Sequence, residues 1–150
     1  MFSKACEYGI RAVLYIAHKT LAGNKLGISE IAKAIDSPVP FTAKILQMLS
    51  REGIISSVKG PNGGFFISPD APPIPLSQII EAIDGIGVLH TCTLGLKECS
   101  DKSPCPIHND VKAFKERVRK VMHEKTVQQL ARDMKKGNSF LKITKLRGSR

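Results

Sequence analysis

Apolar residues recur at intervals of three and four from Ile10 to Leu21, which is the spacing of one face of an α-helix. Ser3 precedes this pattern and is of a residue type that caps helix N-termini, and Gly23 follows it. The sequence therefore predicts a first helix that begins after Ser3 and ends before Gly23. Its expected buried face consists of Ile10, Val13, Leu14, Ala17 and Leu21.

Two shorter segments with the same helical period follow. The first is expected to be capped by Ser29 and to stop at the Asp36-Ser37-Pro38 break. The second begins around Pro40 to Thr42 and ends at Gly53, a residue type suited to the left-handed position after a helix. Two short helices joined by a tight turn predict a helix-turn-helix. The apolar positions that define them are Ile28, Ile31, Ala32 and Ile35 in the first and Ile45, Leu46 and Leu49 in the second.

Two β-rich runs follow directly on these helices. IISSVKG and GFFIS stand on either side of Pro61-Asn62-Gly63, which is a turn sequence, so the segment predicts a β-hairpin. A helix-turn-helix followed by a hairpin is the pattern of a winged helix. The predicted fold class is mainly α with a small β-hairpin wing.

Five side chains of this predicted winged helix are candidates for contact with DNA. Thr42 and Lys44 are expected to face outward from the second of the two helices, where they could reach the major groove. Lys59 and Asn62 are expected at the wing, within reach of phosphate or the minor groove. Phe41, next to Thr42, completes the set. The alternative is that the two lysines are ordinary solvated surface.

The region after the wing begins with a proline-rich linker, PDAPPIP, and a short apolar-periodic helix that ends at Gly85. Residues 86–108 then show neither helical nor strand period, and an unstructured loop of that length in a compact domain is usually functional or disordered. A last short helix is expected behind Thr126, with Val127, Leu130 and Met134 on its apolar face.

A longer helix is expected between these two features. Its apolar positions alternate by three and four, as in one seam of a coiled coil, and Lys, Arg and Glu stand between them. Such a helix favours packing on a second copy of the chain, and the alternative is that it lies on its own domain. The seam consists of Val111, Phe114, Val118 and Val121.

Dimerisation suits a DNA-binding protein of this size. One recognition helix makes only a few base contacts, each worth about 1–3 kcal/mol, whereas a dimer reads two half-sites about 34–36 Å apart. The chain is therefore expected to divide into four parts. They are a winged helix-turn-helix DNA-binding domain at 1–85, a cysteine-rich loop at 86–108, dimerisation helices at 109–136 and a basic tail at 137–150.

The charge balance agrees with a polyanionic partner such as double-stranded DNA. The chain of 150 residues has 23 Lys and Arg against 13 Asp and Glu, for a net charge of +10. Part of this excess lies in the tail, at Lys142, Lys145, Arg147 and Arg150. Because no apolar run approaches the roughly 18 residues that span a bilayer, and Glu7 and Arg11 interrupt the N-terminal apolar stretch, no membrane segment is expected and a cytoplasmic protein is predicted.

Three of the four cysteines and one histidine lie in the unpatterned loop, in the order Cys92-x6-Cys99-x5-Cys105-x2-His108. Thiolates favour zinc, copper(I) or iron-sulfur clusters over calcium and magnesium. Structural zinc sites usually bring closely spaced ligand pairs, so the wide gaps here modestly favour a polynuclear cluster over zinc. Cys6 stands alone in a helical pattern and is expected to be a small apolar residue of a core or interface.

Four stretches together resemble a known class of proteins. FSKACEYGIRAVLYIA, the wing SSVKGPNGGFFIS, the helix LSQIIEAIDG and the three-cysteine loop resemble, in this order, the bacterial winged-helix iron-sulfur regulators of the IscR and NsrR type. The resemblance extends to about residue 136. It implies a homodimeric transcription factor whose loop holds an iron-sulfur cluster, and whose operator affinity changes with the state of that cluster in response to redox conditions, nitric oxide or iron.

The chain departs from these relatives in two places. The gap between Cys92 and Cys99 has six residues where cluster-binding relatives commonly have five, so the cluster type is open between [2Fe-2S], which is favoured, and [4Fe-4S]. The predicted recognition helix, PFTAKILQML, has Ala43 and Lys44 where IscR-type relatives have a Glu-Gln pair, so its operator is expected to differ.

The resemblance implies two candidates for a fourth ligand. His108 matches the histidine of the IscR-like branch, and Glu7 matches the acidic ligand that the NsrR-like branch takes from the other subunit. His108 is favoured because closing a local loop costs less entropy than recruiting a second chain. Alternatively, His108 caps the following helix and Glu7 is a solvent-facing carboxylate. Asp101 and His90 are outside candidates.

An enzyme is not expected. The chain has no phosphate-binding glycine loop followed by Lys and Ser/Thr, and GPNGG is flanked by strands as a wing turn would be. Two other regulators remain as alternatives. One is stabilised by zinc, and the other senses oxidants directly through Cys92, Cys99 and Cys105 without any metal.

Overall fold

A computed structural model describes residues 1–20, 22–137 and 139–141. Leu21, Asn138 and residues 142–150 lie outside this range, and with them the predicted place of Leu21 on the buried face and the basic residues predicted in the tail. In the order of the chain the elements are α1 (Lys4–Thr20), α2 (Ile28–Ile35), α3 (Val39–Arg51), β1 (Ser56–Val58), β2 (Gly64–Phe66), α4 (Leu76–Asp84), a short 3-10 helix (Ile86–Leu89), α5 (His108–Glu124) and α6 (Val127–Lys135). The predicted mainly α fold with a hairpin wing is confirmed.

Helix α1 is the centre of the core, and α2, α3, α4 and α6 all pack against it. Its start is capped as predicted, because Ser3 Oγ accepts a hydrogen bond from the Cys6 amide at 3.0 Å. A side chain at Gly9 would collide with Ile83 of α4, so glycine allows these two helices to approach closely. The fully buried residues of the core include Val13, Ile16, Ile31, Ile35, Leu46, Leu49, Ile79 and Val127.

Helices α2 and α3 form the predicted helix-turn-helix. Helix α2 begins two residues earlier than expected, so the cap position is Gly27 and the prediction that Ser29 caps the helix is wrong. Helix α3 ends at Arg51, and Gly53 takes a positive φ of 73° just beyond it, as its residue type predicted. The apolar faces of the pair are buried against α1.

The wing is an antiparallel hairpin in which Ser56 pairs with Phe66 and Val58 pairs with Gly64. It is fixed to the core on both sides. Phe65 exchanges two backbone hydrogen bonds with Leu26, at 2.8 and 2.9 Å, and the Ile67 amide donates to Thr20 Oγ1 at 3.2 Å. These contacts hold the wing beside the helix-turn-helix.

The segment predicted as dimerisation helices, 109–136, divides into two parts with different environments. Helix α6 begins with a capping box at Thr126 and packs on α1, with Val127 and Ala131 fully buried. The apolar face of α6 therefore completes the core of the winged domain, and the role of residues 109–136 in dimerisation stays a prediction. Helix α5 buries only His108. No helix in the described ranges combines the length and apolar character needed to cross a bilayer.

Candidate nucleic-acid interface and metal centre

Helix α3 exposes one face and buries the other. Ile45, Leu46 and Leu49 are in the core, whereas Lys44 is exposed, as the sequence predicted. A lysine at this position of the second helix of a helix-turn-helix is free to reach a major groove.

Thr42 does not belong to the exposed face. It is fully buried, and its Oγ1 donates to the Pro38 carbonyl oxygen at 2.9 Å and lies 3.0 Å from Ser37 Oγ. The prediction that Thr42 faces outward is wrong because Thr42 lies three residues before Ile45 and four before Leu46, which places it on their buried face of α3. Thr42 stabilises the turn between the two helices.

Phe41 is half-buried and packs against α1. Its ring meets the Tyr8 ring edge to face, with the centroids 5.6 Å apart. The Arg11 guanidinium lies 4.5 Å from the centroid of Tyr8 and also donates to the Ile35 carbonyl oxygen at 3.1 Å. Phe41 therefore helps to set the angle of α3, although its candidate role in DNA contact stays a prediction.

The wing tip carries the other two candidates. Lys59 and Asn62 are both exposed, on the loop that joins Val58 to Gly64. Their contact with phosphate or the minor groove stays a prediction.

The cysteine loop and α5 line a solvent-open cavity of about 200 Å³. Its lining includes all four predicted ligands, Cys92, Cys99, Cys105 and His108, together with the outside candidates His90 and Asp101. The structure thus brings together side chains that lie up to 16 positions apart in the sequence.

His108 is the first residue of α5, and its ring is buried against the loop. Its Nε2 lies 2.8 Å from Asp101 Oδ1, and its Nδ1 lies 3.6 Å from Cys99 Sγ. Hydrogen bonds from Lys112, and secondly from His108, hold the pKa of the Asp101 carboxyl below its usual range, so the carboxylate only accepts. Nε2 therefore carries the proton in neutral His108, and Nδ1 keeps a free lone pair towards Cys99. The helix-capping alternative is wrong, because the N-cap position is Ile107.

Cys92 occupies a turn that favours its thiolate. Hydrogen bonds from the backbone amides of Leu96 and Leu94, and a weaker one from Cys105, lower the pKa of the Cys92 thiol. The thiolate is the form that binds metals. Cys105 lines the same cavity as Cys92.

A basic stripe on α5, formed by Lys112, Lys115 and Arg119, also lines the cavity. Lys112 Nζ contacts both oxygens of Asp101, at 2.8 and 2.9 Å. Lys115 donates to the Thr91 carbonyl oxygen, and Arg119 Nη1 lies 2.8 Å from His90 Nδ1. Sequence reasoning missed these residues. Their spacing of four, seven and eleven positions after His108 was the available signal, because it places them on one helix face.

Two residues of α1 lie apart from the cavity of their own chain. Glu7 pairs with Lys4 at 3.2 Å, and its side chain is 43% exposed. Cys6 is fully buried in the core, as predicted, and burial raises the pKa of its thiol to about 12. It is therefore an inert thiol.

The donor set of the cavity, three thiols and one imidazole, fits the ligands of an iron-sulfur cluster. Among the described residues, no group of three or more His, Cys, Asp and Glu side chains is arranged to hold one ion. Three soft sulfur atoms and one imidazole nitrogen nevertheless face the same cavity. A polynuclear cluster separates its ligands more widely than one ion does, and thiolates are its usual ligands.

Comparison with known proteins identifies the family. Residues 2–133 match the Rrf2 family, described as "Iron-dependent Transcriptional regulator". The chain belongs to the Rrf2 family. This membership confirms the resemblance to regulators of the IscR type, because IscR proteins are among the relatives of this Rrf2 chain.

Two curated relatives and one solved structure are similar to this Rrf2 protein. An Aquifex aeolicus protein described as an HTH-type transcriptional regulator is 32% identical, over 87% of this chain and 90% of that protein. IscR of Cereibacter sphaeroides is 30% identical over 57% of this chain and 56% of its own length. CymR, the global cysteine regulator of B. subtilis, has the same fold, with a TM-score of 0.70 at 19% identity over 89% of this chain and 97% of that one.

Proposed function

We propose that this Rrf2 protein is a homodimeric regulator whose affinity for a double-stranded DNA operator is controlled by an iron-sulfur cluster in its cysteine loop. The proposal rests on one observation. The side chains of Cys92, Cys99, Cys105 and His108 line the same cavity. The family description as iron-dependent supports iron as the metal. Redox conditions, nitric oxide and iron supply are the signals that such a cluster can report.

His108 is the proposed fourth ligand, and the favoured cluster is [2Fe-2S]. Histidine ligands usually donate their second ring N–H to a carboxylate or carbonyl oxygen, which fixes the ring and the tautomer. Asp101 takes this role at 2.8 Å and leaves Nδ1 directed towards Cys99. A [4Fe-4S] cluster completed by the partner subunit's Glu7 is the alternative.

The basic stripe of α5 is the proposed link between the cluster and the rest of the protein. Lys115 and Arg119 hold Thr91 and His90, the two residues that precede Cys92, and Lys112 holds Asp101. These cations also offset the negative charge of the thiolates. Formation or loss of a cluster would therefore change the position of α5 relative to the loop.

Helix α5 is in turn connected to the winged domain at its far end. The Leu76 amide of α4 donates to the Lys125 carbonyl oxygen at 3.0 Å, and the Val127 amide donates to the Ile74 carbonyl oxygen at 2.8 Å. A displacement of α5 would therefore reach the helices that support the helix-turn-helix. In a dimer held together by α5, it would change the distance between the two recognition helices.

The experiment that tests this function measures DNA binding in two cluster states. Protein purified without oxygen is used to select duplexes from a random library, and the affinity for the selected duplex is compared before and after cluster removal. The proposal expects affinities that differ by about 5- to 150-fold, the usual range of coupling between sites. Equal affinities in the two states would remove the switch.

A further inference from the structure

Helix α3 exposes a stripe that extends beyond Lys44. The fully buried stripe of Thr42, Leu46 and Leu49 defines the opposite side of the helix. The exposed residues are Pro40, Lys44, Gln47, Met48 and Arg51, at spacings of four, three, one and three. This is one continuous face over the length of α3.

Only part of this face can form hydrogen bonds to bases. Pro40 and Ala43 have no hydrogen-bonding side-chain groups, so the part of this face that precedes Lys44 cannot read base edges through polar contacts. Arg51 is the last residue of the helix, where a backbone phosphate is the nearer target. Lys44 and Gln47 remain as the polar side chains in the middle of the face.

The Gln47 side chain is available for contact with DNA. Within the described part of the chain its amide makes no hydrogen bond, and Met48 beside it is 38% exposed. Gln47 lies three residues after Lys44, which is about 4.5 Å along the helix axis. Base pairs are spaced by about 3.4 Å, so the two side chains can address neighbouring base pairs.

We infer that Gln47 is a specificity-determining residue that reads an adenine in the major groove next to the base contacted by Lys44, with Met48 against a thymine methyl group. Glutamine pairs with adenine through N6 and N7, lysine with guanine, and apolar side chains with the thymine methyl group. The inference rests on the DNA-binding part of the proposed function and not on the cluster.

Site selection from a random duplex library tests this inference, with cluster-loaded and cluster-free protein used in parallel. The parent should select an adenine within one or two base pairs of the position at which the Lys44→Ala variant loses its base preference. Gln47→Ala should lose the preference for adenine at that position and keep the other base preferences. It should also weaken binding to the selected duplex by roughly 5- to 150-fold. Gln47→Glu should exchange the preference for adenine for one for cytosine, because a carboxylate accepts from cytosine N4.

The control is Gln78→Ala, which removes the same side chain from an exposed position of α4 and should select the parental site. If Gln47→Ala and Gln47→Glu select the parental site with parental affinity, the inference is overturned while the cluster proposal is untouched. If the parent selects no sequence in either cluster state, both the inference and the DNA-binding part of the proposed function are wrong.

Discussion

One carboxylate determines how His108 presents its ring to the cysteine loop. Asp101 accepts from Nε2 on one side and from Lys112 on the other, so it is held between the loop and α5. This pairing leaves Nδ1 as the nitrogen that faces Cys99. The chemistry of the candidate metal centre thus depends on a residue that is not itself a proposed ligand.

Replacing this carboxylate tests its role. Asp101→Asn should weaken the hold on a cluster by about 10- to 100-fold, because the amide no longer fixes the ring as an anionic acceptor does. The measurement is the rate at which a chelator bleaches the anaerobic protein. Asp110→Asn, an exposed acid in the first turn of α5, is the control and should bleach at the parental rate. Equal rates for the two variants would contradict a role for Asp101.

Thr42 is expected to contribute to the stability of the fold and not to DNA recognition. Thr42→Val should lower the free energy of unfolding by about 1 kcal/mol, because it removes the buried hydroxyl that donates to the Pro38 carbonyl oxygen and lies 3.0 Å from Ser37 Oγ. Chemical denaturation measures this loss. The selected DNA sequence should stay the same, and a changed base preference would show that Thr42 contacts DNA after all.

At the scale of elements, the helices and the wing were predictable because their signals are local and repeated. The apolar periods, Gly53 and the Pro61-Asn62-Gly63 turn each point to one local structure. Helix starts were less predictable, since α2 is capped at Gly27 and not at Ser29. The inward position of Thr42 could have been predicted, because its spacing of three and four residues to Ile45 and Leu46 places it on their face. The basic stripe on α5 was missed because charges at helical spacing are also what a solvated helix face displays.

Lys59 at the wing tip is expected to contribute to DNA affinity through its charge. Lys59→Ala should weaken binding to all DNA sequences alike and reduce the slope of log affinity against log salt by about one, because it removes one phosphate contact. Binding titrations over a range of salt concentrations measure this slope. Lys135→Ala removes the same charge from α6 and should retain the parental slope. A parental slope for Lys59→Ala would argue against phosphate contact by the wing.

At the scale of the whole molecule, α5 stands outside the core that the other five helices build. It spans 17 residues and buries only His108, whereas Phe114 remains 55% exposed and Val121 44% exposed. A second copy of the chain is the proposed cover for this face, which the sequence pattern already indicated. Within one chain, the cysteine loop therefore lies between the DNA-reading domain and the proposed dimer helix.

If α5 forms the dimer interface, a negative charge on its exposed apolar face should prevent dimerisation. Phe114→Asp should shift the chain to a monomer, because a carboxylate would be buried without a partner in the interface. Sedimentation equilibrium measures the mass. Ala113→Asp adds the same charge at the neighbouring exposed position and should remain dimeric. A monomeric parent, or equal masses for both variants, would contradict dimerisation through α5.

The most direct test of the central claim is the absorption spectrum of protein made without oxygen, together with its iron and sulfide content. We expect a brown protein with visible charge-transfer bands and iron and sulfide in equal amounts. Cys99→Ala should lose the colour, and Cys6→Ala, which removes a buried thiol outside the cavity, should keep it. A colourless parent that contains stoichiometric zinc or no metal would contradict the account.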